Sequence, residues 1–225
     1  MNFAVKGAVF DFDGVLVDSH PVHIRAWKNF FESIGTAVSD EQLQFVLDGR
    51  SRDDILRHFL GDLCDETLVE YGHQKEQFFR HESADVRPID GLLSFLEDLE
   101  GAQLTLSIAS SGSKGRVDSL LRNLDLKKWF RVVITGDDVA RGKPDPALFL
   151  RAARDMGLQP CELIVFEDAV SGIKAARSAG MKCIGIAPSS RVSTLLDAGA
   201  THVVPDFRSL SCSKLQELLA NRGGF

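Results

Sequence analysis

The chain has 225 residues, 44% hydrophobic and 26% charged, with a net charge of −6. That composition fits a globular protein with one large core or two modest ones. The acidic balance argues against a general nucleic-acid binder, and no apolar run approaches the roughly 18 residues of a membrane helix.

The first element is a short apolar run over 7–10 that reads as a buried strand. It ends in two aspartates, Asp11 and Asp13, followed by Gly14. Two close carboxylates repel and are costly to bury unless a cation or proton intervenes. From 19 to 87 only helical signals appear. Ser19 is placed to cap a helix whose apolar positions Val22, Ala26, Trp27, Phe30, Phe31 and Ile34 recur at 3–4 spacing and which Gly35 ends. Ser39 and Gln42 read as a capping box for a second helix ending near Gly49. Ser51 and Asp54 open a third, closed by Gly61, and a longer polar helix spans 65–83.

After Pro88 the pattern changes. Strands are predicted over 104–109, 132–135, 163–166, 183–186 and 202–204. Helices are predicted over 91–99, 116–124, 146–156, 171–179, 192–198 and 210–220. Strands alternating with helices imply an α/β fold, a parallel sheet covered by helices on both faces. The first strand belongs to that sheet, so residues 1–18 and 88–225 form one core and residues 19–87 an inserted all-helical unit. The four cysteines, Cys64, Cys161, Cys183 and Cys212, show no C-x-x-C spacing. Buried free thiols are expected of them, and with no signal-peptide pattern at the start the expected location is cytoplasmic.

In such sheets ligands bind beyond the carboxyl ends of the strands. Asp11 and Asp13 follow the first strand. Ser110, Ser111, Gly112 and Ser113 follow the second, where hydroxyls and free amides before a helix suit a phosphate oxygen, or simply cap the helix. Lys143 follows the third, held between Gly142 and Pro144 as an anion ligand. Glu167 and Asp168 follow the fourth. Two acidic pairs on neighbouring strands ask for a hard cation such as Mg²⁺. A calcium loop beginning at Asp11 fails, because Val15, Leu16 and Val22 occupy positions that need an acid, a glycine and a glutamate. Neither a P-loop nor a G-x-G-x-x-G is present.

Together these groups describe phosphoryl transfer. Asp11 attacks phosphorus, Asp13 handles the proton of the leaving oxygen, and Mg²⁺ and Lys143 neutralise charge on the phosphoryl oxygens. Asp11-Phe-Asp13-Gly, Ser110, Lys143-Pro-Asp and Glu167-Asp168, in that order, resemble the four motifs of the haloacid dehalogenase superfamily of phosphotransferases. The resemblance spans nearly the whole chain. It implies a Rossmann-like core, with Mg²⁺ held by Asp11, the backbone carbonyl of Asp13 and Asp168, with Glu167 nearby.

The helical insertion is similar to the cap of the subgroup containing beta-phosphoglucomutase and phosphoglycolate phosphatase. By that resemblance His23 contacts the sugar and helps position Asp13, and Arg52 grips a phosphate. Both also admit plain readings, as a first-turn histidine and a residue flanking a helix start. Where the mutases carry a Lys-Asn pair followed by an aromatic, this chain reads His73-Gln-Lys75-Glu-Gln-Phe78. Lys75 substitutes only one place out of register, a rotation of about 100° on a helix. The expected activity is a Mg²⁺-dependent phosphatase acting on a small phosphorylated metabolite, with no nucleic-acid or membrane partner. The alternatives are a beta-phosphoglucomutase-like isomerase and a non-catalytic phosphate-binding protein.

Overall fold

The computed structural model describes residues 5–220. Six parallel strands form one sheet: β1 (Gly7–Phe10), β2 (Thr105–Ala109), β3 (Val132–Ile134), β4 (Leu163–Glu167), β5 (Lys182–Ile186) and β6 (His202–Val204), in the order β3-β2-β1-β4-β5-β6. β1 lies centrally, pairing with β2 on one side and β4 on the other, with Phe10 level with both Ile108 and Phe166. Its carboxyl end therefore emerges between those of two neighbours.

Side-chain alternation divides the core between the two faces of the sheet. Ala8, Phe10, Ile108, Ile164 and Phe166 pack with α4 (Leu92–Gly101), α5 (Lys114–Asn123) and α9 (Cys212–Ala220). On that face Phe10 stacks on Phe166 with ring centroids 4.7 Å apart, and Phe95 and Phe207 complete the aromatic cluster. Val9, Ala109, Leu163 and Val165 face the other way, against α6 (Ala147–Met156), α7 (Val170–Ser178) and α8 (Val192–Ala198). Each buried ring or branched side chain contributes about 1.5–3 kcal/mol.

Three helices are inserted after β1: α1 (His20–Ser33), α2 (Arg52–Leu60) and α3 (Asp65–Glu82). They bury their own apolar cluster of Trp27, Phe30, Phe31, Leu43, Ile55, Leu56 and Leu68. Where the chain leaves for the insertion and returns, Val17 pairs antiparallel with Pro88, and Asp18 N–H donates to the Arg87 carbonyl at 2.8 Å. Val22, Ala26 and Phe79 of the insertion pack into the sheet's cluster, so the helical unit is rooted in the core.

The expected parallel α/β architecture with a helical insertion is the one observed, with three local corrections. The predicted second helix is a 3-10 turn, Gln42–Leu47; its capping box is present, with Ser39 N–H donating to Gln42 Oε1 at 3.0 Å and Gln42 N–H to Ser39 Oγ at 3.2 Å. Ser19 does not cap α1. Its hydroxyl donates to Asp13 Oδ1 at 2.6 Å, and Pro21 in the first turn starts the helix instead. All four cysteines are free thiols, but only Cys183 is buried, while Cys64 and Cys161 are exposed. No described helix is long and apolar enough to cross a membrane.

Candidate active site

Asp11 leaves β1 where its N–H still bonds the Phe166 carbonyl at 2.9 Å, which holds it beside β4. The chain then turns at Gly14, whose φ of +76° and contact with His20 and Asp168 leave no room for a Cβ. One oxygen each from Asp11, Glu167 and Asp168 lies within 4.8 Å of the others, and all three residues are buried. Lys143 is fully buried between them, Nζ lying 2.5 Å from Asp11 Oδ1 and 2.6 Å from Glu167 Oε1. Glu167 is fixed further by Ala169 N–H, which donates to Oε2 at 2.7 Å, and by Gly172, where any Cβ would overlap its carboxylate.

The charge count is unbalanced. Burial pushes the Asp11 carboxyl up to about 7, with Glu167 and Asp13 adding to the effect and Lys143 opposing it. Burial also raises Glu167, reinforced by the charge of Asp168, and it raises Asp168, reinforced by Asp11. Burial disfavours the charge on Lys143, but Asp11 and Glu167 prevail and hold its pKa above the ordinary lysine value. Asp168 Oδ2 is buried without a hydrogen-bond partner, although His20 Nε2 stands 3.1 Å away. Asp11 and Glu167 share one ammonium, Asp168 has only His20 at 3.1 Å and Arg191 at 3.9 Å beside it, and this all-oxygen donor set, with Asp168 Oδ2 lacking an aligned hydrogen bond, fits a hard divalent cation. Asp13 contributes no side-chain oxygen to this cluster.

The Asp13 carboxylate turns instead toward the helices. Arg116 donates from both terminal nitrogens, at 2.7 Å to Oδ1 and 2.7 Å to Oδ2, and Ser19 and His23 also contact Oδ1. Burial works against the charged form, yet Arg116 and His23 hold the carboxyl well below its usual range. Burial and the Lys75 charge lower His23 to about 3, so its ring is neutral. Asp13 can only accept, so the ring proton sits on Nε2 and Nδ1 accepts from Lys75 Nζ at 3.1 Å. Lys75 is therefore turned into the site despite its apparent register. Its ammonium lies over the Trp27 and Phe79 rings, and burial together with the Arg116 charge brings its pKa down to about 7.

These groups line a cavity of about 160 Å³ between sheet and insertion. Asp11, Asp13, His23, Arg52, Lys75, Ser111 and Asp168 all reach it. Arg52 enters from the start of α2 while paired with Asp53 at 2.9 Å. Ser110 does not line it: the hydroxyl accepts the Gly112 N–H at 3.0 Å, inside its own turn. Ser111 donates to the Gly49 carbonyl at 2.7 Å and Ser171 to the Asp48 carbonyl, which ties the insertion's 48–51 loop to the sheet. The sequence reading missed Arg116, His20 and Glu76. Arg116 left a signal, because a cation in the first turn of a helix opposes the dipole and calls for a partner.

A parallel sheet with an acidic cluster and a buried lysine at its carboxyl edge, covered by a helical insertion after the first strand, defines a Rossmann-like α/β class. The haloacid dehalogenase-like hydrolase family matches residues 8–186, and the chain belongs to that family. It is 32% identical over 206 residues to the phosphorylated carbohydrates phosphatase of Thermotoga maritima, covering 89% of this chain and 94% of that protein. It is 31% identical over 191 residues to the beta-phosphoglucomutase of Bacillus subtilis, covering 81% and 83%. Among solved structures, a HAD hydrolase of family IA, variant 3, from Entamoeba histolytica superimposes with a TM-score of 0.86 at 30% identity, covering 96% of this chain and 100% of that one.

Proposed function

We propose that this protein is a Mg²⁺-dependent phosphatase that hydrolyses a small sugar or polyol phosphate through an aspartyl-phosphate on Asp11. The observation that carries this reading is the buried set of Asp11, Lys143, Glu167 and Asp168 at the end of the central strand. Similarity to a carbohydrate phosphatase over most of both chains supports the substrate class. The cavity, about 160 Å³, favours a small metabolite over a polymer. Residues 1–18 and 88–225 act as the catalytic core and residues 19–87 as a cap that excludes water and selects the substrate.

In this mechanism an Asp11 carboxylate oxygen forms a bond to phosphorus as the ester oxygen leaves. Asp13 gives that oxygen its proton, and the alcohol departs. Asp13 then takes a proton from water, whose oxygen attacks phosphorus, breaking the bond to Asp11 and releasing phosphate. Lys143 neutralises charge around Asp11 throughout. Asp11, Glu167, Asp168 and the Asp13 carbonyl would hold Mg²⁺, which would supply charge stabilisation to the phosphoryl oxygens. Asp13 as held here is ionised and suits the second step. The first step requires the Arg116 pair to loosen as substrate enters.

Turnover of an aryl phosphate with Mg²⁺, lost in Asp11→Asn, is the expected result; full activity in that variant would exclude the nucleophile. A second reading, a beta-phosphoglucomutase-like isomerase, draws on the Lys75–His23 contact and the similarity to the Bacillus enzyme. In that case a sugar hydroxyl replaces water, and beta-glucose 1-phosphate is converted to glucose 6-phosphate without net phosphate release.

A further inference from the structure

His20 is the first residue of α1, and through it the insertion touches the acidic cluster of the sheet. The connection that leads to it is short. Gly14 N–H donates to the Val17 carbonyl at 2.8 Å, Val17 pairs with Pro88, and Asp18 N–H bonds the Arg87 carbonyl. The helix begins directly after that crossing, and the His20 ring turns back onto the residue that follows β4, with Nε2 3.1 Å from Asp168 Oδ2. Gly14 closes one side of the contact: a Cβ there would lie 2.4 Å from His20 Nε2 and 2.6 Å from Asp168 Oδ2.

The other two acids of the cluster are anchored from within the core. Lys143 holds both Asp11 and Glu167, and Ala169 N–H holds Glu167 again. Among the described residues no core side chain anchors Asp168 in this way, since Arg191 Nη1 stops 3.9 Å from Oδ2, and that oxygen is buried without an aligned hydrogen bond. Two acceptors 3.1 Å apart would repel, so a proton sits on His20 Nε2 whether the ring is neutral or charged. A small turn of the ring or the carboxylate brings that N–H into line. A donor of this kind, bonded to a cation's ligand from outside, fixes the ligand's orientation, and its loss typically weakens cation binding about 10–100-fold. Here the donor belongs to the insertion and the ligand to the core.

We propose that His20 is a positioning residue that holds the Asp168 carboxylate for the divalent cation from the insertion's side, so that cation binding and closure of the insertion over the core reinforce each other. The inference rests on the cation site of the phosphatase reading and goes beyond it in making that site depend on the insertion. The His20 side chain is 26% exposed, which places the expected loss toward the lower end of the range.

The test is Mg²⁺ affinity by calorimetry, without substrate, in wild type, His20→Ala and His20→Gln. His20→Ala should bind Mg²⁺ at least about tenfold more weakly, and His20→Gln, which keeps an N–H donor, should stay within about threefold of wild type. Coupling is reciprocal. Saturating Mg²⁺ should therefore slow hydrogen exchange in the 48–51 loop, which Ser111 and Ser171 tie to the sheet, by roughly tenfold in wild type and by less than about twofold in His20→Ala. A role in packing alone would lower thermal stability and leave Mg²⁺ affinity where it was. Equal Mg²⁺ affinity in wild type and His20→Ala, or equal slowing of exchange in both, would overturn the proposal. If His20→Ala does not fold, His20→Met fills the space without an N–H and serves the same comparison. Turnover plays no part in these readouts, so a wild type that binds Mg²⁺ but hydrolyses no phosphate ester fails the phosphatase reading alone, whereas a wild type that binds no Mg²⁺ overturns the cation site and this proposal together.

Discussion

The clamp on Asp13 is the most quantitative feature of the site. Arg116 is 6% exposed and Asp13 20%, and two charge-assisted hydrogen bonds of 2.7 Å join them. Replacing Arg116 by Met leaves a buried carboxylate with only Ser19 and His23 as donors. Removing one partner of a buried pair costs about 3–5 kcal/mol, and those two donors place this site toward the lower end. Asp13→Asn leaves the Arg116 guanidinium with Glu76, 4.0 Å away, and the more distant Asp11 as acidic neighbours. The double variant has neither charge, so the two losses should not add. A double-mutant cycle by urea unfolding should give a coupling of about 2–3 kcal/mol. It should change little with added salt, because the pair is buried. A coupling below about 0.5 kcal/mol, within the scatter of independent sites, would refute the reasoning.

Other outcomes follow from the same geometry. Lys143→Met should lower kcat at least about a hundredfold, and thermal stability should become strongly Mg²⁺-dependent, since Asp11 and Glu167 then lose the ammonium they share; a thermal melt with and without Mg²⁺ checks this. The carboxyl of Asp11 sits at about 7, with Glu167 and Asp168 shifted the same way. On these carboxyls the native state holds protons that the unfolded chain has released, while His23, lowered from 6.5 to about 3, acts in the opposite sense over nearly the same range; the carboxyl contribution should therefore be read as a difference, with the metal-free stability of wild type relative to Asp11→Asn falling from about pH 4 to about pH 7. Protons also compete with metal, so Mg²⁺ affinity measured by calorimetry should rise over the upper part of that range. Ser111→Ala removes the bond to the Gly49 carbonyl, worth about 1 kcal/mol, and hydrogen exchange in the 48–51 loop should speed up roughly fivefold.

The strands and their ends were legible because apolar runs broken by acids, hydroxyls and a Pro-flanked lysine are local signals. The six predicted strands lie within a residue or so of those observed. Asp11, Lys143, Glu167 and Asp168 converge because a parallel sheet brings its carboxyl ends together. What sequence did not disclose was long-range. Ser19 looks like a helix cap by position, but Asp13 is a stronger acceptor for its hydroxyl than the α1 amides are donors to it. Arg116 meets Asp13 across 103 residues of chain, a pairing that no spacing rule reports. Lys75 reaches His23 because α3 packs on α1, which sets the rotation of the helix irrespective of a motif's register. The 3-10 turn at Gln42–Leu47 has true capping signals but only six residues before Asp48 and Gly49, too few for a stable α-helix.

The central claim is that Asp11 carries the phosphoryl group, and rapid acid quench during turnover of a radiolabelled phosphomonoester tests it most directly. The expected result is a base-labile acyl phosphate on the peptide containing Asp11, formed and discharged at rates compatible with kcat and absent from Asp11→Asn. Undiminished turnover in Asp11→Asn, or a covalent label that maps to any other residue, would contradict the account.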